Sequence, residues 1–439
     1  MEGETAESQP SSGRLGGRPL LGGWYPGAWL VLLAAILPGL GSYYRNDVLA
    51  WPLGVTDGDV YMGVNYHVYH VATERALAGE SFYEVAPEPA GETMVYLYPP
   101  ITTAAFAPFS PFEWTTGYLL LTGVSGAASA LATALLVQYV EGQGTPLGWV
   151  DVALIYGLFT LSIHVAATVF FGNINVLLGV AFVVGFWALW RDREGLAGVV
   201  FALAALFKLF PALVGVWLLR EKRWTAVGAA VATGVGGLLA GILAFGPTAT
   251  SQYFLEVVPG RTDSSAFVGG YPTGEHFYVT IQRPLSHLIW SVWPTAPYAL
   301  LPASAVAVAG AILAYFYRFV GTERERLMAI LATVVVTIVV IPSLRLYAPL
   351  VFFPFVALLY TWQGGPGRYA FLAGGLLMAF VARPEAVVTA ASALGPLEPL
   401  VAALGTFATI QLYAFGLVLG GCAWALRTDS EQRDQASLE

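Results

Sequence analysis

Long apolar stretches, separated by shorter polar connections, run along most of this 439-residue chain. A helix needs about 20 apolar residues to cross a membrane, because it rises about 1.5 Å per residue. Ten stretches approach this length: Gly27–Tyr44, Thr115–Val140, Leu147–Thr168, Ile174–Trp190, Ala226–Phe245, Pro297–Tyr317, Leu327–Ile341, Tyr347–Trp362, Tyr369–Val381 and Leu400–Leu426. Three are too short to cross alone: Pro99–Pro108, Leu196–Phe207 and Phe210–Leu219. The pattern predicts an all-α polytopic membrane protein with about 10 full spans plus about 3 short or re-entrant helices.

Two long segments, 45–97 and 246–289, are not apolar and are expected outside the membrane. They belong to a single transmembrane domain, 27–426, which is flanked by polar tails at 1–26 and 427–439. The first segment contains an amphipathic helical pattern at Tyr61–Ala78, typical of a helix on a membrane surface. Because long ordered loops are usually functional, both segments are candidate parts of a site.

Composition supports a membrane protein, since 57% of the residues are hydrophobic, 11% are charged and the mean hydropathy is +0.67. Soluble domains carry about a quarter charged residues, so this chain has too little polar surface for water. The single cysteine, Cys422, excludes an intrachain disulfide and a thiolate metal cluster. The sequence contains no phosphate-loop or His-Glu-x-x-His motif, and we expect no cofactor, no metal ion and no nucleic-acid partner.

Basic residues predict the orientation, because cytoplasmic loops of membrane proteins carry most of the Lys and Arg. With a cytoplasmic N-terminus, an uncleaved first span and a hairpin at Leu196–Leu219, thirteen basic residues become cytoplasmic: Arg14, Arg18, Arg191, Arg193, Arg220, Lys222, Arg223, Arg318, Arg324, Arg326, Arg368, Arg427 and Arg433. Six lie outside: Arg45, Arg75, Arg261, Arg283, Arg345 and Arg383. We therefore expect a multi-pass protein of the cell membrane whose active site faces outside. A cleaved signal peptide is the alternative for the first span.

Two carboxylates, Asp57 and Asp59, follow the first span in the sequence ThrAspGlyAspValTyr. A carboxylate at this boundary can stay ionised while it meets a lipid-linked substrate, which suits a general base. Asp57 and Asp59 are therefore the candidate catalytic residues. The alternative is a pair of solvated acids in a turn around Gly58.

Two breaks in the apolar pattern carry polar side chains. Tyr98 lies in TyrLeuTyrProPro, where adjacent prolines suit the first turn of a helix, and the positive end of that helix could seat a phosphate. Asn173 and Asn175 lie in GlyAsnIleAsn between two spans, where amides must find partners or line a polar cavity that could hold sugar hydroxyls. Ordinary helix starts are the alternative at both breaks.

Lys208 lies in the middle of the apolar hairpin, in AlaLeuPheLysLeuPheProAla, and is one of only two lysines in the chain. It is too far along the chain from the flanking arginines for its side chain to reach the membrane surface easily. A charge inside a membrane is costly and is by default functional. A phosphate or carboxylate partner is therefore favoured over a structural role.

The remaining candidates for substrate binding follow the second polar segment. Arg283 and Arg345 are the outer cations best placed to bind anionic groups, with loop salt bridges as the alternative. Glu275 and His276 precede Arg283 in ThrGlyGluHisPheTyr, and Tyr347 follows Arg345 in ProSerLeuArgLeuTyr.

The order of these motifs resembles glycosyltransferase family 87, a family of GT-C-fold enzymes related to mycobacterial polyprenol-phosphate-mannose-dependent α-mannosyltransferases. No single motif is specific, but their order and spacing together are fairly specific. The resemblance covers roughly residues 27–360 and rests on Asp57–Tyr61, Leu77–Tyr83, Tyr96–Pro100, Gly172–Asn175, Phe207–Pro211, Arg220–Trp224 and Pro342–Tyr347.

The resemblance implies a GT-C-type transmembrane fold and an inverting transfer of mannose or another hexose at the outer face. The donor it implies is a polyprenyl- or dolichyl-phosphate sugar and the acceptor a lipid or glycan, with an aspartate base and no obligatory metal. The chain departs from the family pattern at the base, because the expected spacing falls on Asn65 while Asp57 lies eight residues earlier. Arg345 and Tyr347 also stand where the family often has a histidine.

Two other functions fit parts of the sequence. A lipid or solute transporter also tolerates charge within the membrane, although no internal repeat of the kind found in many transporters is visible. A non-catalytic scaffold that has lost its base would explain Asn65. Membrane lipids are expected partners of the protein in each case.

Overall fold

The computed structural model describes residues 18–44, 61–262, 278–343, 345–381 and 395–436, and these ranges contain helices and connecting turns but no β-strand. The helices in the first two ranges are α1 (Pro26–Tyr44), α2 (Val64–Leu77), α3 (Trp114–Gly142), α4 (Trp149–Thr160), α5 (Ile163–Phe171), α6 (Asn175–Trp190), α7 (Glu194–Phe207), α8 (Val214–Arg220), α9 (Trp224–Gln252) and α10 (Val258–Thr262). Those in the later ranges are α11 (Gln282–Val292), α12 (Leu300–Phe316), α13 (Glu323–Val339), α14 (Phe352–Thr361), α15 (Pro366–Met378), α16 (Glu398–Phe407) and α17 (Ile410–Ala436). The predicted all-α fold is confirmed.

Shorter turns connect several of these helices. They are 3₁₀ turns at Pro100–Ala105, Ala107–Phe109, Phe210–Leu213, Arg345–Val351 and Gly395–Leu397, and a π turn at Tyr253–Val257. Of these, Phe210–Leu213 closely follows Lys208 in the chain, and Arg345–Val351 carries the Tyr347 hydroxyl that Lys208 contacts.

Several helices have the length and apolarity of membrane spans. Within the described residues, α1, α3, α9 with the turns that follow it, and α17 are each long and apolar enough to cross a membrane. The pair α4 and α5, bent by 43°, adds a fifth if it forms one span. Apolar helices of 10–17 residues, including α6, α7 and α12, lie among them. The protein is therefore a polytopic membrane protein.

Two predicted spans are broken in the structure. Leu147–Thr168 is divided between α4 and α5, and Leu400–Leu426 is divided between α16 and α17 by the extended residue Ala408. The predicted polar segment 246–289 is also largely helical where it is described. Its start continues α9 through a kink, because Gly246 adopts a φ of 85° and Pro247 follows inside the helix.

The predicted hairpin at Leu196–Leu219 is present in the structure. Helix α7 ends at Phe207, the chain turns through Phe210–Leu213, and α8 returns to the level at which α7 began. Arg223 closes the open end of the hairpin, because its guanidinium lies 3.0 Å from the Glu194 carboxylate and 3.3 Å from that of Asp192. Lys208 occupies the opposite, closed end.

Charged side chains collect at the end of the bundle where the hairpin opens. The ion pairs there are Arg223 with Glu194, Arg326 with Glu221, Arg433 with Glu325, Arg18 with Glu141 and Arg324 with Asp429. Four of them join the C-terminal ends of α8 and α17 to the N-terminal ends of α7 and α13, and Arg18 joins the segment before α1 to the C-terminal end of α3. Many of the arginines predicted to share one side of the membrane therefore share one end of the molecule.

Candidate functional site

Lys208 lies where the backbone leaves α7. Its amide N–H still donates to the Ala204 carbonyl at 3.0 Å, but its φ of −139° and ψ of 122° are those of extended chain. The residue is only 6% exposed, and its Nζ donates a hydrogen bond to the Tyr347 hydroxyl over 3.2 Å. The break in the helix thus directs a positive charge into the interior of the bundle.

Aromatic rings surround this ammonium group. Nζ lies 4.4 Å from the centroid of the Tyr347 ring and 5.7 Å from that of Tyr98. Phe210 packs against Tyr347 with ring centroids 4.7 Å apart, and Phe207 packs edge-on against Tyr98. Such rings stabilise a desolvated cation by about 2 kcal/mol, which is less than the cost of removing an ion from water.

No carboxylate within the described residues pairs with Lys208 in a salt bridge. Breaking or omitting one partner of a buried ion pair is strongly unfavourable, so a buried, unneutralised lysine is unusual in a stable protein. An anionic group that reached Nζ would meet a positive charge in preformed, weakly hydrated surroundings. The arrangement can therefore bind phosphate or carboxylate.

Tyr98 is fixed by a tyrosine network that connects three segments of the chain. Its hydroxyl lies 3.1 Å from that of Tyr69 on α2, and its carbonyl accepts a hydrogen bond of 2.7 Å from Tyr83. Pro100 then begins the short helix Pro100–Ala105, as its missing N–H and fixed φ favour. Tyr69 and Tyr83 were not predicted as site residues, because one tyrosine in an aromatic-rich sequence carries no separate signal.

The GlyAsnIleAsn sequence forms the turn from α5 to α6. Gly172 ends α5 with a φ of 68°, and the Asn173 N–H donates to the Thr168 carbonyl at 2.8 Å. Asn175 begins α6 and is fully buried. One face of α6 lies against the segment that carries Tyr347, since a Cβ on Gly179 would meet the Pro349 carbonyl at 2.8 Å.

Arg283 contacts a different part of the molecule. It is buried on α11, and it donates to the carbonyls of Thr406 and Gly405, at 2.9 and 3.0 Å, near the C-terminal end of α16. Carbonyls at that position accept hydrogen bonds well, because they have no partner within their own helix. The structure thus brings Lys208, Tyr98 and Tyr347 together and places Arg283 in a separate contact.

Other predicted site residues lie outside the described part of the chain. These residues are Asp57, Asp59, Glu275 and His276. Arg345 is the first residue of the turn that contains Tyr347, and its side chain is not described. Groups of three or more His, Cys, Asp or Glu side chains that could hold a metal ion are absent from the described residues.

His67 and Trp114 form an aromatic pair at the start of α2. Their rings stack with centroids 4.5 Å apart, and the Tyr61 hydroxyl lies 2.5 Å from His67 Nδ1. Burial, together with the neighbouring His70, lowers the pKa of His67 to about 4. His67 is therefore neutral at physiological pH and contributes packing rather than charge.

The described residues form a helical membrane protein with a buried lysine inside its helical bundle. The chain belongs to glycosyltransferase family 87, whose family model matches residues 96–343. This range contains Tyr98, both asparagines of the α5–α6 turn and Lys208, and it ends just before Tyr347. The protein is therefore a glycosyltransferase, as the order of its motifs predicted.

A mannosyltransferase relative supports the same assignment. The chain is 28% identical over 311 residues to the polyprenol-phosphate-mannose-dependent α-(1-2)-phosphatidylinositol pentamannoside mannosyltransferase of Mycolicibacterium smegmatis. The aligned region covers 67% of this chain and 68% of the relative.

Proposed function

We propose that the protein transfers mannose or another hexose from a polyprenyl- or dolichyl-phosphate donor to a lipid- or glycan-linked acceptor. The buried Lys208 carries this proposal, because a lipid-phosphate donor releases an anion and the lysine pocket is suited to one. The donor class is that named for the mycobacterial relative. Since the chain belongs to a glycosyltransferase family, transfer is favoured over the transport function that its membrane helices also allow.

The proposed reaction is a single displacement at the anomeric carbon. The acceptor hydroxyl attacks that carbon, its bond to the phosphate oxygen breaks, and the lipid phosphate leaves with the electron pair, so the configuration inverts. Lys208 neutralises the charge that develops on this oxygen, and Tyr347 offers a hydroxyl beside it. Preorganised positive charge in a weakly hydrated site is usually a large contribution to catalysis.

A carboxylate removes the proton from the acceptor hydroxyl in this mechanism. Asp57 and Asp59 remain the proposed bases, with a slight preference for Asp59, which directly precedes Val60 and Tyr61 at the start of the helical pattern. Glu275 and His276 are the next candidates. Arg283 and Arg345 are proposed as additional contacts for anionic groups.

The proposed arrangement in the membrane has about ten crossings, cytoplasmic termini and an active site at the outer face. The clustering of arginines at one end of the bundle supports it, because these are the residues assigned to the cytoplasm. Lys208, at the closed end of the hairpin, then lies toward the outer side.

The experiment that tests the function uses purified protein in detergent, where no gradient across a membrane exists. A glycosyltransferase converts polyprenyl-phosphate mannose and an acceptor lipid extract to a glycosylated product. A scaffold without a base binds the donor but forms no product. Failure to form product from mannosyl, glucosyl and galactosyl donors would refute the proposal.

A further inference from the structure

Three residues around the α5–α6 turn carry buried side-chain polar atoms that have no hydrogen-bond partner among the described residues. They are the Thr168 hydroxyl, the Asn173 amide oxygen and both amide atoms of Asn175. Thr168 and Asn175 are each 0% exposed. Enclosed polar groups are nearly always paired, so a group of three that is not paired requires an explanation.

Thr168 differs from other buried threonines in this protein. The Thr133 hydroxyl donates to the Ser129 carbonyl one turn earlier, and Thr333 and Thr337 make the equivalent bond, each at 2.8 Å. This contact satisfies a helical threonine internally. Thr168 does not make it, although it also lies in a helix, so its hydroxyl remains available to another group.

The turn places the backbones of these three residues close together. Gly172 ends α5 with a φ of 68°. The backbone N–H of Asn173 donates a hydrogen bond to the Thr168 carbonyl, which holds the two residues next to each other. Asn175 then lies in the first turn of α6, where backbone N–H groups also lack partners within the helix. Tyr66 packs over the turn, since a Cβ on Gly172 would lie 2.8 Å from the Tyr66 Cβ.

The chemistry of this cluster is neutral. A hydroxyl and two carboxamides both donate and accept hydrogen bonds, as the hydroxyl groups of a sugar do. The same helix, α6, lies against the segment Arg345–Val351, which carries the Tyr347 hydroxyl bonded to Lys208. One segment, Arg345–Val351, therefore contacts both the buried lysine and the helix that carries Asn175.

We propose that Thr168, Asn173 and Asn175 form the subsite for the hydroxyl groups of the transferred hexose and determine which hexose is accepted. This inference rests on the proposed function, in which the donor phosphate occupies the Lys208 pocket. A site built to bond a hydroxyl discriminates strongly against a sugar that lacks or misplaces it, because its own buried groups are then left unpaired.

Thr168→Val and Asn175→Leu test the proposal, because each removes polar atoms at nearly constant volume. Thr133→Val is the matched control, since Thr133 is also buried but its hydroxyl already donates to the Ser129 carbonyl. The readouts are kcat/KM for mannosyl and glucosyl polyprenyl phosphates, and the rise in melting temperature with each donor and with sugar-free polyprenyl phosphate.

We expect Thr168→Val and Asn175→Leu to keep or raise the melting temperature of the free protein and to lower kcat/KM for the preferred donor about 10- to 100-fold. Discrimination between the two sugars should fall, and stabilisation by sugar-free lipid phosphate should not change. Thr133→Val should leave kcat/KM and discrimination at wild-type values.

Wild-type kcat/KM and discrimination in Thr168→Val would overturn the subsite while leaving the glycosyltransferase function intact. Equal stabilisation of the wild-type protein by sugar-bearing and sugar-free lipids would also overturn it. Sugar-dependent stabilisation that is lost in both variants, without any product from the wild type, would support the subsite and refute the proposed reaction instead.

Discussion

The Nζ of Lys208 donates a 3.2 Å hydrogen bond to the hydroxyl of Tyr347, a residue 139 positions later in the chain. A neutral hydroxyl solvates an ammonium ion but does not neutralise it. No carboxylate among the described residues forms an ion pair with Lys208, so a phosphate that reached Nζ would not have to displace one of them.

Lys208→Met should abolish most activity while the protein still folds. Removal of a buried charge is neutral or stabilising for the fold, whereas loss of phosphate neutralisation should lower kcat by roughly 10²–10³-fold. Lys208→Arg should recover part of the activity, because its planar group holds charge in a different geometry. The other lysine provides the control: Lys222→Met should turn over normally. Near-normal turnover in Lys208→Met would exclude this lysine from the reaction.

Tyr347→Phe isolates the contribution of the hydroxyl, because the ring that packs on Lys208 is retained. We expect roughly a tenfold loss of kcat/KM, as for removal of one hydrogen bond to a charged group. Tyr315→Phe removes a hydroxyl bonded to the Ala423 carbonyl at 3.1 Å and should be close to wild type. Steady-state kinetics on both variants distinguish the two; equal values would contradict a role for the Tyr347 hydroxyl.

Asp57→Asn and Asp59→Asn identify the base. The substitution at the true base keeps shape and donor binding but removes proton acceptance, so kcat should fall by roughly 10²–10⁴-fold with little change in donor affinity. At the other aspartate the change should be nearly silent. Donor titration and product assays measure the two effects separately. Full turnover in both variants would exclude these aspartates and direct attention to Glu275 and His276.

Single cysteines introduced at Ser264 and Arg193 test the orientation, in a background where Cys422 is replaced by alanine. A membrane-impermeant thiol reagent should label Ser264→Cys in intact cells and should label Arg193→Cys only after lysis. The reverse pattern would show that the protein is inserted the other way round.

Acid should destabilise the packing of α2 through His67. Its pKa is about 4 in the folded protein and about 6.5 when unfolded, so the unfolded chain binds the proton more readily between these values. The stability that neutral His67 contributes is therefore present above about pH 6.5 and lost as pH falls toward 4. The melting temperature of His67→Phe should depend less on pH across this window. Burial also lowers the pKa of His287. His287 therefore accounts for pH dependence that the wild type and His67→Phe share.

The sequence predicted the features that depend on the cost of burying a charge. Lys208 could be placed at the turn of a hairpin because a lysine among apolar residues has few alternatives. The break between α4 and α5 was not predicted, since its residues Leu161 and Ser162 are acceptable inside a helix. Thr168 was also missed, because only the absence of its backbone hydrogen bond, visible in three dimensions, distinguishes it from Thr133.

The hairpin Leu196–Leu219, whose closed end carries Lys208, sets the depth of this charge in the membrane. Helix α7 has 14 residues, so Lys208 lies on the order of 20 Å from the ion pair at the open end. The hydrocarbon core of a membrane is about 30 Å thick, and a helix near the membrane normal would hold the ammonium group about 10 Å below the opposite surface. A lipid phosphate that meets it must leave the headgroup layer. Activity should therefore depend on bilayer thickness, because the fixed length of α7 sets how far the donor phosphate must move to reach Lys208.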